Sequence, residues 1–238
     1  MSFAPVYPHG EIEPIADEVF MLRGSIKMNP VLRITRNMAI VRNDDELTLI
    51  NPVRMNESGL AALDRLGVVK NILRLGAFHG IDDPFYMDRY SASFWAQPGG
   101  ITYTEPAIDK VLETGGELPF PDAKFHAFEH TKEPEGAILI ERGKGLLLTT
   151  DAIQHYGDYS YNNLPARLLM PFIGFPKTTL VGPIWLKVMT PEGGSLRHAF
   201  SGILEWTFDS LLAAHGTFLE SGAHGAVSVA VARAFRDE

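Results

Sequence analysis

The sequence predicts a single α/β domain, of the α+β kind, in which helices pack against mixed β-sheets. Strand-like and helix-like segments alternate in the middle of the chain and β-hairpins flank them, an order that favours mixed sheets over one doubly wound parallel sheet. Of the 238 residues, 45% are hydrophobic and 21% are charged, as in ordinary globular proteins. Because no linker, repeat or low-complexity segment interrupts the chain, we expect one domain over residues 1–238.

The N-terminal part of the chain begins with strands and then forms a helix. The strands are predicted at residues 19–23, 32–35, 38–42 and 47–50. Asn56 is a suitable N-cap for the helix that follows, in which Leu60, Leu63 and Leu66 share one face. Gly67 is a plausible end for this helix.

The rest of the chain mixes both kinds of element. Strands are predicted at residues 71–75, 93–96, 125–129, 136–141 and 145–150, the last two forming a hairpin. Helices are predicted at residues 84–90, 106–113, 197–212 and 224–235. Residues 156–195 are rich in proline, glycine and aromatic side chains, so we interpret them as an irregular excursion carrying short helices.

Composition and the absence of motifs exclude several functions. The chain has no cysteine, so a metal would need histidine and carboxylate ligands, which suit zinc, iron or manganese. The net charge of −8 argues against nucleic-acid binding. We expect a cytoplasmic protein without membrane contact, because no signal peptide or long apolar run is visible. No P-loop, dinucleotide-binding glycine motif or nucleophile elbow is present.

Polar residues that can bind metals follow several of the predicted strands. They are His79, His130, Asp151, His155 and His215. Loops at strand ends are where functional sites are commonly built. Each residue alone has a simpler interpretation, since a lone histidine is more often a surface or core residue and Asp151 could cap a helix beginning at Ala152. Their joint occurrence favours a polar site that contains a metal.

Three of these segments resemble motifs of the metallo-β-lactamase superfamily, in the right order along most of the chain. EHTKEPEGAILIE gives His130, GKGLLLTTDAI gives Asp151 and AAHGTFLESGA gives His215. The family's first motif, HxHxDH, corresponds to GAFHGIDD, in which His79 is the only histidine and Asp82 and Asp83 follow. The chain therefore most resembles a divergent branch in which this first motif is eroded.

The resemblance implies a four-layer αββα sandwich of two mixed sheets flanked by helices. It also implies a metal-dependent hydrolase that activates water at a reduced, mononuclear site and acts on a small-molecule substrate. Zinc is the expected divalent metal, with iron or manganese as alternatives, and Asp82 or Asp83 would be the general base. The implied ligands are drawn from His79, His130, Asp151 and His215, with His155 or Asp83 as a substitute.

Two further hypotheses stay open. The chain could be a non-catalytic domain of the same fold that binds a small molecule or a protein partner, which the eroded first motif favours. The aromatic residues of the 156–195 segment could line a substrate pocket or form a homodimer contact.

Overall fold

The computed structural model describes residues 3–238 and shows an α/β protein with thirteen β-strands and six α-helices in that range. The strands are β1 (Ile12–Ala16), β2 (Val19–Lys27), β3 (Arg33–Asn43), β4 (Glu46–Ile50), β5 (Val68–Arg74), β6 (Ser93–Ala96), β7 (Lys110–Val111), β8 (Ala123–Ala127), β9 (Gly136–Ile140), β10 (Leu146–Thr149), β11 (Ile153–His155), β12 (Thr179–Val181) and β13 (Ser210–Ala213). The helices are α1 (Glu57–Leu66), α2 (Asp83–Tyr90), α3 (Leu164–Leu169), α4 (Pro183–Met189), α5 (Ser201–Leu204) and α6 (Ala223–Ala234).

The strands form two mixed sheets and one small sheet. The first sheet has the order β1-β2-β3-β4-β5-β6-β7, antiparallel from β1 to β4 and parallel from β4 to β7. The second has the order β13-β10-β9-β8, in which β9 and β10 form the predicted hairpin and β13 lies parallel to β10. Strands β11 and β12 form a two-stranded antiparallel sheet.

Three hydrophobic clusters separate four layers. Leu60 and Tyr86 of the first two helices pack on the outer face of the first sheet, and Leu73 faces the second sheet across the middle of the molecule. Trp185 and Val227 of α4 and α6 pack on the outer face of the second sheet. The αββα arrangement expected from the resemblance is thus confirmed. None of the helices within residues 3–238 has the length and hydrophobicity needed to cross a bilayer.

The strands predicted at residues 32–35 and 38–42 are in fact one long strand, β3. Arg36 and Asn37 interrupt the apolar pattern of the sequence, but both are buried and both pair with β2. Several of their polar groups form long-range hydrogen bonds, from Arg36 to Asp82 and from Asn37 to the carbonyl of Ala213. Burial of satisfied polar groups in a strand is invisible to a hydrophobic pattern.

Two predicted helices are wrong. Residues 106–113 contain no helix. The side chain of Asp109 accepts a hydrogen bond from the N–H of Phe94, and the N–H of Asp109 donates to the carbonyl of Phe94. These two bonds align the segment with β6, so that the next residues form β7. Residues 197–212 contain a 3-10 turn, the four-residue helix α5 and then β13. The last residues of this segment are buried beside β10, where strand pairing outweighs their helical pattern.

The 156–195 segment carries the short helices α3 and α4 together with strand β12. Asp151 does not cap a helix, because the residues that follow it form β11 and pair with β12. Because β12 belongs to this segment and β11 begins two residues after Asp151, their pairing holds the segment close to Asp151.

Candidate metal centre

His79, Asp151 and His215 meet at one end of the sandwich. His79 lies in the turn after β5, Asp151 follows β10 and His215 follows β13, the parallel neighbour of β10. Asp151 lies between the two histidines, with its Oδ2 3.1 Å from Nε2 of His79 and its Oδ1 3.2 Å from Nε2 of His215. One ligand atom from each side chain lies within 4.8 Å of the others, and among residues 3–238 this is the one group with such spacing.

His215 is oriented by strand β3. Its Nδ1 lies 2.7 Å from the carbonyl oxygen of Thr35. A carbonyl can only accept, so Nδ1 carries a proton and Nε2 is the ring nitrogen that faces Oδ1 of Asp151. Asn37 fixes the chain on both sides of the histidine, because its side-chain amide donates to the carbonyls of Ala213 and Gly216.

A histidine nitrogen and a carboxylate oxygen face each other at the centre of the site. Nε2 of His215 and Oδ1 of Asp151 are 3.2 Å apart, so either a proton on Nε2 or a cation lies between them. His79 is buried, and its Nδ1 has no hydrogen-bond partner among the described residues. Two imidazoles and one carboxylate form a donor set that suits a divalent cation.

The electrostatics of the site favour deprotonated ligands. Burial lowers the pKa of His79, against the opposing effect of Asp151, and so favours the neutral imidazole that metals require. Burial alone would raise the pKa of Asp151, but its interactions with the imidazoles of His79 and His215 hold it well below its usual range. Asp151 is therefore an ionised carboxylate.

Glu135 supports the turn that carries Asp151. Its Oε1 accepts hydrogen bonds from the main-chain N–H groups of Asp151 (2.9 Å) and Ala152 (3.1 Å) and from the Thr150 hydroxyl. Glu135 is fully buried, and burial together with the charge of Asp151 raises its pKa. Gly76 allows this packing, because a Cβ there would lie 2.2 Å from Oε2 of Glu135.

A second polar contact reaches Asp151 from β11. Nε2 of Gln154 donates to Oδ1 of Asp151 at 3.2 Å, and the Tyr156 hydroxyl donates to Oε1 of Gln154 at 2.7 Å. Sequence reasoning missed Glu135 and Gln154, and it named Tyr156 only among the aromatic residues that could line a pocket. For Glu135 the available signal was a carboxylate directly before an apolar strand; a glutamine and a tyrosine two residues apart carry no comparable signal.

Asp82 and Asp83 are held by arginines. Oδ2 of Asp82 accepts from Nη1 of Arg36 at 3.1 Å, and the same guanidinium donates through Nη2 to the carbonyl of His79 at 3.0 Å. Oδ2 of Asp83 accepts from Nε of Arg74 at 2.6 Å. Burial outweighs the charge of Arg74 and raises the pKa of Asp83 to about 6.

The structure places His130 and His155 outside this group. His130 is exposed in the turn after β8, where its backbone is left-handed (φ 63°) and Phe128 takes the buried position. His155 is half-buried on β11, and its Nδ1 lies 2.8 Å from the Thr179 hydroxyl. The sequence correctly put His130 after a strand, but the path of that turn carries its ring away from Asp151. His155 lies on strand β11 itself, next to Gln154, so its side chain points to the opposite face of the strand from the side chain that contacts Asp151.

A cavity of about 540 Å³ opens above the three residues. Arg36, Gln154 and Tyr156 join them at its base, whereas Asp82 and Asp83 are not among its lining residues. Its walls are mainly apolar and come from β2, β3, α3, the 3-10 turn Met170–Ile173 and α4. The aromatic lining residues are Phe78, Tyr156, Phe175 and Trp185.

Solved structures with a similar fold are metallo-β-lactamases. The metallo-β-lactamase DIM-1 matches with a TM-score of 0.65 and 9% identity, covering 95% of this chain and 100% of that one. FIM-1 from Pseudomonas aeruginosa, in its mono-zinc form, matches with a TM-score of 0.61 and 10% identity over 96% of this chain and 97% of that one. The enzyme from Erythrobacter litoralis matches with a TM-score of 0.58 and 14% identity over 95% and 93%.

These similarities concern the fold. No protein-family model matches the sequence, and no curated protein sequence matches it either. The chain has the metallo-β-lactamase fold, as its motifs predicted, and it is highly divergent in sequence from the solved structures named above.

Proposed function

We propose that this protein is a metal-dependent hydrolase whose single-metal site consists of His79, Asp151 and His215. One observation carries the proposal: ligand atoms of the three side chains lie within 4.8 Å of one another, and Nε2 of each histidine faces an oxygen of the Asp151 carboxylate. Two histidines and one carboxylate are a known ligand set of hydrolytic zinc sites. Zinc is the metal we expect, with iron or manganese as alternatives.

A divalent metal held by these three side chains would supply a water whose pKa is lowered towards ~7 and would polarise the scissile bond. The protein's own residues hold and orient the ligands. Glu135 fixes the turn of Asp151 and Gln154 bonds its carboxylate, so the carboxylate is restrained from both sides. The walls of the cavity are mainly apolar, so the reacting groups would lie in surroundings of low polarity.

Asp82 acts in this proposal as a positioning residue rather than as the general base predicted from the sequence. Its carboxylate binds Arg36, which in turn binds the carbonyl of His79. A general base must come within hydrogen-bond reach of the proton it removes, and neither Asp82 nor Asp83 lines the cavity. Asp83 is instead paired with Arg74.

A non-catalytic role in binding a small molecule is the second candidate. The observation that favours it is the nature of the cavity, in which Asp151 is the only carboxylate among the lining residues of the described chain. Such a cavity could retain an apolar ligand without any metal. The hydrolase requires a metal to convert its substrate, whereas the binding protein would retain its ligand unchanged and without a metal.

A hydrolysis screen separates them. Chelator-treated protein would be tested on ester, lactone, thioester and phosphodiester substrates, with and without added zinc, manganese or iron. We expect turnover that depends on metal and is lost in Asp151→Asn but kept in His155→Ala, which alters a nearby histidine outside the group. Turnover that survives in Asp151→Asn, or metal that has no effect on any substrate, would contradict a metal-dependent hydrolase.

A further inference from the structure

The polar groups of the cavity are concentrated at its base. His79, Asp151 and His215 lie there, and the hydrogen-bonding groups of Gln154 and Tyr156 are already engaged with Asp151 and with each other. A ligand can therefore form polar contacts at one end only.

The walls of the cavity become more exposed towards its mouth while staying apolar. Ile34 and Trp185 are buried deep in the wall. At the rim, Met28 is 58% exposed, Ile184 50% and Val188 45%. Scattered exposed apolar side chains need no explanation, but an apolar rim continuous with an apolar cavity indicates an apolar ligand that runs from the base to the surface.

Arg36 adds a cationic group to the base. Its side chain is 2% exposed and lines the cavity, and two of its nitrogens bind Asp82 and the carbonyl of His79. Its Nε is buried without a hydrogen-bond partner among the described residues. A buried guanidinium with an unused donor suits a carbonyl or carboxylate oxygen.

We infer that the cavity binds long-chain acyl compounds, with the acyl oxygen at the base near Arg36 and the aliphatic chain along the apolar wall to the rim. The volume of about 540 Å³ lies within the range of roughly 300–1,000 Å³ that is usual for small-molecule sites. Binding of the acyl chain does not depend on a metal, whereas its hydrolysis rests on the function proposed above.

The reaction on such a ligand would be hydrolysis of an acyl ester or lactone. The oxygen of water bonds to the acyl carbon and the bond from that carbon to the alkoxy oxygen breaks. One water proton goes to the departing alcohol, and the new carboxylic acid releases its proton to solvent. No oxidant or other co-reactant is needed, and the product is a long-chain carboxylate.

Ligand binding can be measured on chelator-treated protein, independently of activity. Palmitate, octanoate and butyrate would compete with a fluorescent fatty acid, each below the concentration at which it aggregates. We expect affinity to rise by as much as about fourfold per methylene group, as burial of apolar area requires, so butyrate should compete very weakly. Similar affinities for butyrate and palmitate would overturn the inference.

Two valines provide a matched pair of variants. Val188→Asp puts a charge on the rim in α4, whereas Val229→Asp puts the same charge on an exposed position of α6, where the valine is 57% exposed and does not line the cavity. We expect Val188→Asp to weaken palmitate binding at least about tenfold and Val229→Asp to leave it unchanged. Equal effects of the two variants would argue against the rim as the binding surface.

Hydrolysis of para-nitrophenyl acetate, butyrate and palmitate then distinguishes the inference from the proposed function. Metal-dependent hydrolysis that prefers the palmitate ester supports both. Chain-length-dependent binding without hydrolysis under any metal would refute the hydrolase and leave the acyl-binding cavity supported. Metal-dependent hydrolysis that prefers the acetate ester, together with weak palmitate binding, would refute the acyl cavity and leave the hydrolase supported.

Discussion

Gln154, a residue of β11, bonds the carboxylate of Asp151 that we propose as a metal ligand. Its Nε2 donates to Oδ1 of Asp151, and its Oε1 accepts from the Tyr156 hydroxyl. Groups that orient a metal ligand typically change metal affinity about 10- to 100-fold when removed. We expect Gln154→Leu to weaken zinc affinity about tenfold or more, measured by competition with a chromogenic chelator.

Gln154→Leu also leaves the buried Tyr156 hydroxyl without its acceptor, which costs about 1–3 kcal/mol of stability. The double variant Gln154→Leu/Tyr156→Phe removes that hydroxyl. It should recover part of the lost stability in denaturant unfolding without recovering zinc affinity. Recovery of affinity along with stability would mean that Gln154 acts through folding alone.

For individual residues, the sequence predicted which side chains meet at the candidate metal centre, but it did not predict the groups that surround them. His79, Asp151 and His215 follow strands in the chain and come together in the structure. The Thr35 carbonyl that orients His215 lies 180 residues away, and a main-chain acceptor has no sequence signature. His130 and His155 had the same sequence signal as the three residues that meet. The direction of the turn at His130 and the strand position of His155 are set by tertiary packing, which the local sequence does not reveal.

Helix α3 is attached to the first sheet by its N-cap. The side-chain oxygen of Asn163 accepts from the N–H groups of Ala166 and Arg33, and its amide donates to the carbonyl of Val31. Since α3 and the start of β3 both contribute to the cavity wall, we expect Asn163→Ala to weaken palmitate binding in addition to costing about 1 kcal/mol of stability.

Asn56 is a matched control for this prediction. It caps α1 through the N–H of Gly59, on the far side of the first sheet, and does not line the cavity. Asn56→Ala should lose a similar free energy of unfolding, about 1 kcal/mol, and bind palmitate like the wild type. If both variants bind palmitate equally well, α3 does not shape the ligand site through its cap.

The elements that local sequence chemistry determines were predicted well. Helix α1 has a capping asparagine, a leucine face and a terminal glycine, and the structure confirms it. The segment predicted as a helix at residues 197–212 shows the opposite case. Its apolar residues also fit a buried strand, and pairing of β13 with β10 is a long-range contact that a local pattern does not encode.

The free energy of unfolding of the whole molecule should depend on pH because of Asp83. Burial raises its pKa to about 6 in the folded protein, against 3.8 as the ordinary value. Between these values the folded state keeps a proton that the unfolded state has lost, so stability falls as pH rises. At about 1.36 kcal/mol per pKa unit, the fall is at most about 3 kcal/mol from about pH 4 to about pH 6.

Denaturant unfolding of wild type and Asp83→Asn, with chelator present, isolates this contribution. The difference in unfolding free energy, wild type minus variant, should decrease through that window and then level off. Asp88→Asn alters an exposed aspartate of the same helix, and its difference from wild type should change little with pH. A wild-type advantage that grows with pH would show that the Arg74 ion pair outweighs burial.

The most direct test of the account is calorimetric titration of chelator-treated protein with zinc, with elemental analysis of the product. Wild type and His130→Ala, which changes an exposed histidine outside the group, should each bind one zinc ion per chain. His215→Ala and Asp151→Asn should bind none at the same concentrations. Absence of zinc binding in wild type, or undiminished binding in His215→Ala, would contradict a metal centre at these residues.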